Sequence, residues 1–302
     1  MKRTTYLFCL LSCLFCLTFS SCEKAMSDVD EPTPGMKEGH PIMFRVLAKS
    51  STQSPSSTET AFSHITLAVY QNGSIVDQVT QTTEDSNFGN ITMKLADGNY
   101  KVVVLAHNCN GAVSLTNDLN KVTMPDNKVT DSFWCNQTFT VSGTTTNVNL
   151  SLERIVGKFV LNIQDNLPEN VKTMQFYYTG GSSSLDAENG VGIVNSRQTV
   201  KIPVTSDMIG KPASFEVYTF PKTDSEYLKM KITALSASGA TITEKTFEEV
   251  PIAKNQVTTY SGNFFGSTPG TGDQDVNFTI TVNTLWDDQI DTGFLTPKAM
   301  RK

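Results

Sequence analysis

Apolar side chains recur at every second position in segment after segment of this chain: Ile65, Leu67, Val69; Ile91, Met93, Leu95; Tyr100, Val102, Val104; Val148, Leu150, Leu152. The pattern continues with Val200, Ile202, Val204; Phe215, Val217; Leu228, Met230, Ile232; and Val276, Phe278, Ile280, Val282. A period of two puts neighbouring side chains on opposite faces of an extended strand, so each segment can turn one face inward and the other to water. No stretch offers an amphipathic helix longer than two or three turns. Asn72-Gly73, Gly89-Asn90, Asp97-Gly98 and Asn189-Gly190 supply turn chemistry between the runs. Short strands with turns roughly every 8–12 residues predict an all-β protein built of antiparallel β-sandwiches.

A length of 302 residues, at about 150 residues per domain, predicts two domains in tandem. The boundary falls in NVNLSLERIVGKFVLNI, where alternation gives way to a denser apolar run, as when the last strand of one domain leads directly into the first strand of the next. This reading places one domain at residues 41–153 and a second at 154–302, with no sequence repeat between them.

Ahead of them lies a leader. Lys2 and Arg3 precede an uncharged run of 14 residues, Tyr6 to Phe19, followed by Ser20, Ser21 and Cys22. The run is shorter than the roughly 20 residues that span a bilayer, so residues 1–21 read as a signal peptide. The sequence FSSC resembles the lipobox of bacterial lipoproteins, with Phe19 where Leu is usual. That resemblance implies cleavage before Cys22, a diacylglycerol thioether on its sulfur and an acylated new amino terminus, which together hold a protein on a membrane. The other reading is a secreted protein with a spare thiol. Residues 22–40 are polar, with Pro32, Pro34, Gly35 and Gly39, and read as a flexible tether.

Composition narrows the chemistry. The net charge of −6 gives no field to attract nucleic acid. Three histidines far apart, His40, His64 and His107, are a thin supply of general bases or metal ligands. No serine sits in a nucleophile elbow, and Gly180–Ser184 reads as a loop. Asp273, Asp275, Asp287, Asp288 and Asp291 lack the spacing of a calcium loop and read as turn carboxylates. Trp134, Trp286, Tyr177, Tyr178 and Tyr218 can stack on sugar rings or fill a core. No catalytic, metal or cofactor site is assigned. Cys109 and Cys135 are the cysteines left beyond Cys22. Either they pair, closing a loop of about 27 residues for roughly 3.5 kcal/mol, or they are two buried thiols.

Several longer stretches are distinctive: SFEVYTFP at Ser214 to Pro221, LKMKITAL, VPIAKNQVTTYSGNFFG at Val250 to Gly266, FTITVNTLWDD, NLSLERIVGKFVLNI with Arg154 at its centre, and LADGNYKVVVLAHN. Over most of residues 41 to 290 the chain resembles the FimB-like fimbrial anchor subunits of Bacteroidetes. The resemblance implies two transthyretin-like β-sandwich domains on a lipidated outer-membrane protein that roots a pilus and ends its growth. Its implied partners are shaft or other fimbrial subunits, gripped by strand addition, and the outer membrane through Cys22. Related shaft and tip subunits share the architecture, so those roles stay open beside the anchor. Stalk subunits of the family mature by proteolysis in the first domain, often after Arg. Here the first arginine past the leader is Arg45, inside the strand-like IMFRVLAK, so this chain is expected to keep its first strand. A different class of function, a surface lipoprotein that binds glycans or host protein, is the alternative. For the contact itself, Val276 to Trp286 and the tail GFLTPKAMRK are the candidate segments.

Overall fold

The alternating segments form strands, and the polar stretches between them form turns. The computed structural model describes residues 39–48, 61–143, 147–223, 226–266, 278–283 and 286. The leader, Cys22 and the tether as far as residue 38, Asp273, Asp275, Val276, Asp287, Asp288, Asp291 and the tail from 287 lie outside the described residues, whereas His40, read as the last tether residue, opens the first strand.

The first half contributes β1 (His40–Ala48), β2 (His64–Gln71), β3 (Ser74–Thr82), β4 (Asn90–Leu95), β5 (Gly98–His107), β6 (Val122–Thr123), β7 (Ser132–Val141) and β8 (Asn147–Arg154). Seven of these run in the order β3-β2-β5-β7-β8-β1-β4. β7 and β8 pair only at Phe133↔Arg154 and Trp134↔Glu153. The sheet turns there, so that β3-β2-β5-β7 and β8-β1-β4 share one core, with Ile42, Phe44, Leu67, Val69, Val104 and Leu150 fully buried.

After Ile155 and Val156 come β9 (Gly157–Ile163), β10 (Thr173–Thr179), β11 (Ser184–Asp186), β12 (Val191–Gly192), β13 (Gln198–Pro203), β14 (Ala213–Thr219), β15 (Glu226–Leu235), β16 (Thr241–Ile252), β17 (Val257–Gly262) and β18 (Thr279–Asn283). Two sheets, β13-β10-β15-β16 and β14-β9-β17-β18, enclose a second core around Phe159, Leu161, Phe176, Met230 and Ile232.

Both halves follow one strand plan, which no sequence repeat announces. In each, the opening strand (β1 or β9) runs parallel to the closing strand (β8 or β17) and antiparallel to an edge strand (β4 or β14). In each, the facing sheet places an edge strand beside the second strand of the half, β3-β2-β5-β7 matching β13-β10-β15-β16. To this plan the second half adds β18, laid antiparallel on β17.

A third layer joins the halves. Val102, Val104 and Ala106 face the first core, whereas Val103 and Leu105 on the opposite face of β5 meet a third cluster with Tyr70, Leu185, Ala187, Phe220 and Trp286. The continuous run VVVLA is therefore a strand buried on both faces, which removes the need for a polar alternate. The small sheet β12-β11-β6 pairs a strand of the first half with two of the second. Gly180–Ser184, read as a loop, is tied into this layer by the bridge Ser182↔Phe220, and Ser184 opens β11.

Glycine is needed where these layers touch. A Cβ on Gly192 would lie 2.4 Å from the Phe220 carbonyl oxygen, a backbone atom with no freedom to swing away. We expect Gly192→Ala to cost on the order of 2 kcal/mol, as overpacking does, read as a lower midpoint in urea unfolding. An unchanged midpoint would show that the two segments separate freely. At the β2–β3 hairpin, Asn72 (φ 53) and Gly73 (φ 78) hold the two left-handed positions of a tight turn, as the Asn-Gly pair predicts.

Candidate functional site

Strand edges are where such an architecture offers unpaired backbone to a neighbour. β18 pairs with β17 from Val257↔Asn283 to Ser261↔Thr279, and its outer side carries no further strand among the described residues. The sequence leads one to expect Phe278, Ile280 and Val282 to share an inward face. Phe278 does pack edge-on against Phe247, at 5.1 Å between ring centroids. Beyond it the strand runs past the rim of the core, and Ile280 and Val282 are 52% and 40% exposed. The alternation is thus corrected here: an apolar stripe lies in water at a sheet edge, a place natural sheets usually blunt with charge or proline.

β1 occupies the opposite condition. It is hydrogen-bonded to β4 on one side and β8 on the other. Ile42 and Phe44 are fully buried, while Arg45 faces solvent.

The junction between β8 and β9 is built around Arg154, whose side chain is only 5% exposed. Its Nε and Nη2 donate to Asp131 Oδ1 and Oδ2 at 2.8 and 3.2 Å, and Nη1 donates to Asn255 Oδ1 at 3.2 Å. Trp286 and Phe133 lie against the guanidinium plane at 4.0 and 4.6 Å. Burial raises the Asp131 carboxyl pKa, and the hydrogen bonds and charge of Arg154 pull against that rise. Planarity suits arginine to this double role of fork and stacked plate.

The remaining residues singled out by sequence are dispersed. Cys109 and Cys135 are free, buried thiols. Cys135 stands opposite Val104 in the β5/β7 register, and carrying that register on sets Cys109 beside Thr130, to whose Oγ1 its Sγ lies at 3.3 Å. Five residues of strand separate the two, roughly 15 Å, beyond the about 7 Å of Cα separation that a disulfide can bridge. Of the five aromatics, Trp286 is buried, and Trp134 donates its Nε1–H to the Ala187 carbonyl at 2.7 Å. Tyr178 is buried and donates its hydroxyl proton to the Tyr218 carbonyl at 2.9 Å, with Gln198 Oε1 also near at 3.1 Å. Tyr218 stacks on Trp286 at 6.1 Å. Only Tyr177 turns outward, so the five form no common platform. Ser182 Oγ, fully buried, donates to the Ser184 carbonyl and accepts backbone N–H groups from Ser184 and Ile193, a structural role.

The histidines also come together differently from their spacing. His64 and His107 face each other across β2 and β5, rings stacked at 5.3 Å. His107 is fully buried, its Nδ1 accepts the Cys109 N–H at 3.1 Å, and its Nε2 has no partner among the described residues. Burial, and then the charge of His64, push its pKa down to about 4.

Comparison with known proteins agrees with this architecture. The family model of fimbrillin-A associated anchor proteins Mfa1 and Mfa2 matches residues 40–292. Among solved structures, a Bacteroides thetaiotaomicron protein described as an adhesin superposes with a TM-score of 0.50 at 13% identity, over 82% of this chain and 98% of its own. The fimbrial anchor protein Mfa2 from Porphyromonas gingivalis gives 0.47 at 9% identity, over 80% and 96%. A fimbrial assembly protein from Parabacteroides distasonis gives 0.44 at 13% identity, over 82% and 99%. No match was found among curated proteins.

Proposed function

The chain belongs to the family of fimbrillin-A associated anchor proteins, and on that premise we propose that it is the subunit that holds a fimbria to the cell surface and ends its growth. Membership makes it a fimbria-associated protein of the cell surface. The anchoring role, the lipid on Cys22, the outer-membrane seat and the division into lobes at 41–153 and 154–302 are our reading. Its partner is a shaft subunit or another fimbrial subunit, and the lipid on Cys22 holds the chain to the membrane.

The observation that carries this reading is the edge strand β18, with Ile280 and Val282 exposed beside a ladder that no further strand extends among the described residues. Main-chain hydrogen bonds along such an edge supply affinity, and alternate apolar side chains supply register. An anchor must stop polymerisation as well as begin it. β1, paired on both sides with Phe44 buried beneath it, supports a first lobe that stays filled, so this chain is not itself opened to receive a neighbour's strand. Catalysis has no part in that role.

Charging the edge tests the contact. Cells carrying Ile280→Asp with Val282→Asp should shed filaments into the medium, and electron microscopy should show few remaining attached. Surface labelling should still detect the variant, because both positions lie outside the core. Filaments of normal number and length on such cells would remove β18 as the contact. The tail GFLTPKAMRK would then be the next segment to delete.

A further inference from the structure

The outer face of β13-β10-β15-β16 is basic on an acidic chain. Strand register lays its side chains out in rows. Tyr177 stands between Thr199 and Lys231, and Gln175 between Lys201 and Thr233. The alternate residues Met174, Phe176 and Tyr178 point into the core, so Gln175, Tyr177 and Thr179 point out. Tyr177, Arg197, Lys229, Lys231, Thr246 and Glu248 line a shallow cleft of about 530 Å³ on this face.

Four cations, Arg197, Lys201, Lys229 and Lys231, stand here against three exposed carboxylates of β16, Glu244 and the bulge residues Glu248 and Glu249, while the chain as a whole carries −6. Lys229 meets Glu248 at 2.8 Å and Lys231 meets Glu244 at 3.3 Å, with every one of these side chains at least 40% exposed. Ion pairs that exposed hold only weakly, so a polyanion can displace the carboxylates. Arg197 is exposed and makes no ion pair among the described residues. Tyr177 is half-buried on a strand paired on both sides. On the same side of β15, Tyr227 is 58% exposed.

We propose that this face binds an acidic oligosaccharide. A pyranose ring lies with its C–H face on Tyr177, and its carboxylate or sulfate groups are held by Arg197, Lys229 and Lys231. The ring offers a flat apolar surface, and the guanidinium offers two parallel donors that match a carboxylate or sulfate edge. Cations alone would hold any polyanion. Tyrosine among them selects one built of rings. Sulfated host glycans and the uronic acids of a bacterial envelope share this chemistry. The inference does not depend on the anchoring role.

The test is calorimetry on the full chain with a heparin octasaccharide and a hyaluronan octasaccharide, at about 0.15 M salt so that nonspecific attraction is screened. Maltohexaose, inorganic sulfate and poly-glutamate serve as controls. Saturable binding of at least one acidic octasaccharide is expected, and the one preferred separates sulfate-bearing from carboxylate-bearing sources. Tyr177→Ala and Arg197→Gln should each weaken it at least tenfold, while Tyr177→Phe retains it, with folding verified by circular dichroism. Three results would overturn the proposal: no saturable binding of either octasaccharide, equal binding of poly-glutamate, or affinity unchanged in Tyr177→Ala.

Discussion

Replacing Arg154 by alanine is expected to lower stability by about 3–5 kcal/mol, the cost of breaking a buried ion pair from one side. The guanidinium is 5% exposed and holds both oxygens of Asp131, itself 18% exposed, so the variant leaves a carboxylate buried without its counter-charge. Trp286 and Phe133 lose the plate between them as well. For a chain of this size the thermal midpoint should fall by on the order of 10 °C. Arg154→Lys keeps the charge but not the planar fork, and should fall between the two. The pH dependence has a definite sign. Burial already raises the Asp131 pKa, and without Arg154 it rises further. The carboxyl then neutralises at mildly acid pH, so the deficit should be smaller at pH 5 than at pH 8. A midpoint within about 2 °C of the parent would mean that the junction relaxes around the vacancy and that Arg154 is not what fastens the halves.

The second large effect is acid sensitivity through His107. Its pKa in the fold is pushed down to about 4 from the ordinary histidine value of 6.5 by burial and by the neighbouring His64. The unfolded chain therefore takes up a proton at a pH where the folded chain does not. Stability from this group is complete above about pH 6.5 and falls as pH drops toward about 4, by roughly 3 kcal/mol in all at 1.36 kcal/mol per unit. His107→Asn retains an acceptor for the Cys109 N–H, which His107 Nδ1 now accepts at 3.1 Å, and cannot be charged. Urea midpoints of parent and variant measured at pH 7.5 and pH 4.5 should converge, because only the parent carries this penalty. Carboxylates titrate equally in both and cancel. A gap that is the same at the two pH values would show that His107 takes its proton within the fold.

Strands with one buried face were legible from alternation alone, and β4, β8 and β15 lie where Ile91, Val148 and Leu228 begin their runs. Two of the edge strands, β3 and β16, were not. β3 reads SIVDQVTQT and β16 reads TITEKTFEEVPI, with most positions exposed or half-buried. A strand that buries little is under little pressure to alternate, and it forms because its neighbour's backbone needs pairing. β5 was visible as apolar but not as two-faced, since the third cluster that covers Val103 and Leu105 is assembled from residues far away in the chain. The candidate contact was legible as a segment, Val276 to Trp286, but the direction of its side chains was not, because Ile280 leaves the core only where the sheet ends.

By itself the sequence determined what is set by neighbours along the chain: extended strands, Asn72-Gly73 as a turn, and a strand leading directly into the next near Leu152 to Ile155, each a matter of local backbone preference and periodicity. Tertiary structure decided everything that depends on register. It set Cys109 and Cys135 apart and His64 against His107. It placed Arg154 between Asp131 and Trp286, and four cations around Tyr177. The reason is that pairing two strands brings together residues whose separation in sequence carries no trace of the meeting. Only the summed burial of both cores selects one register over its neighbours.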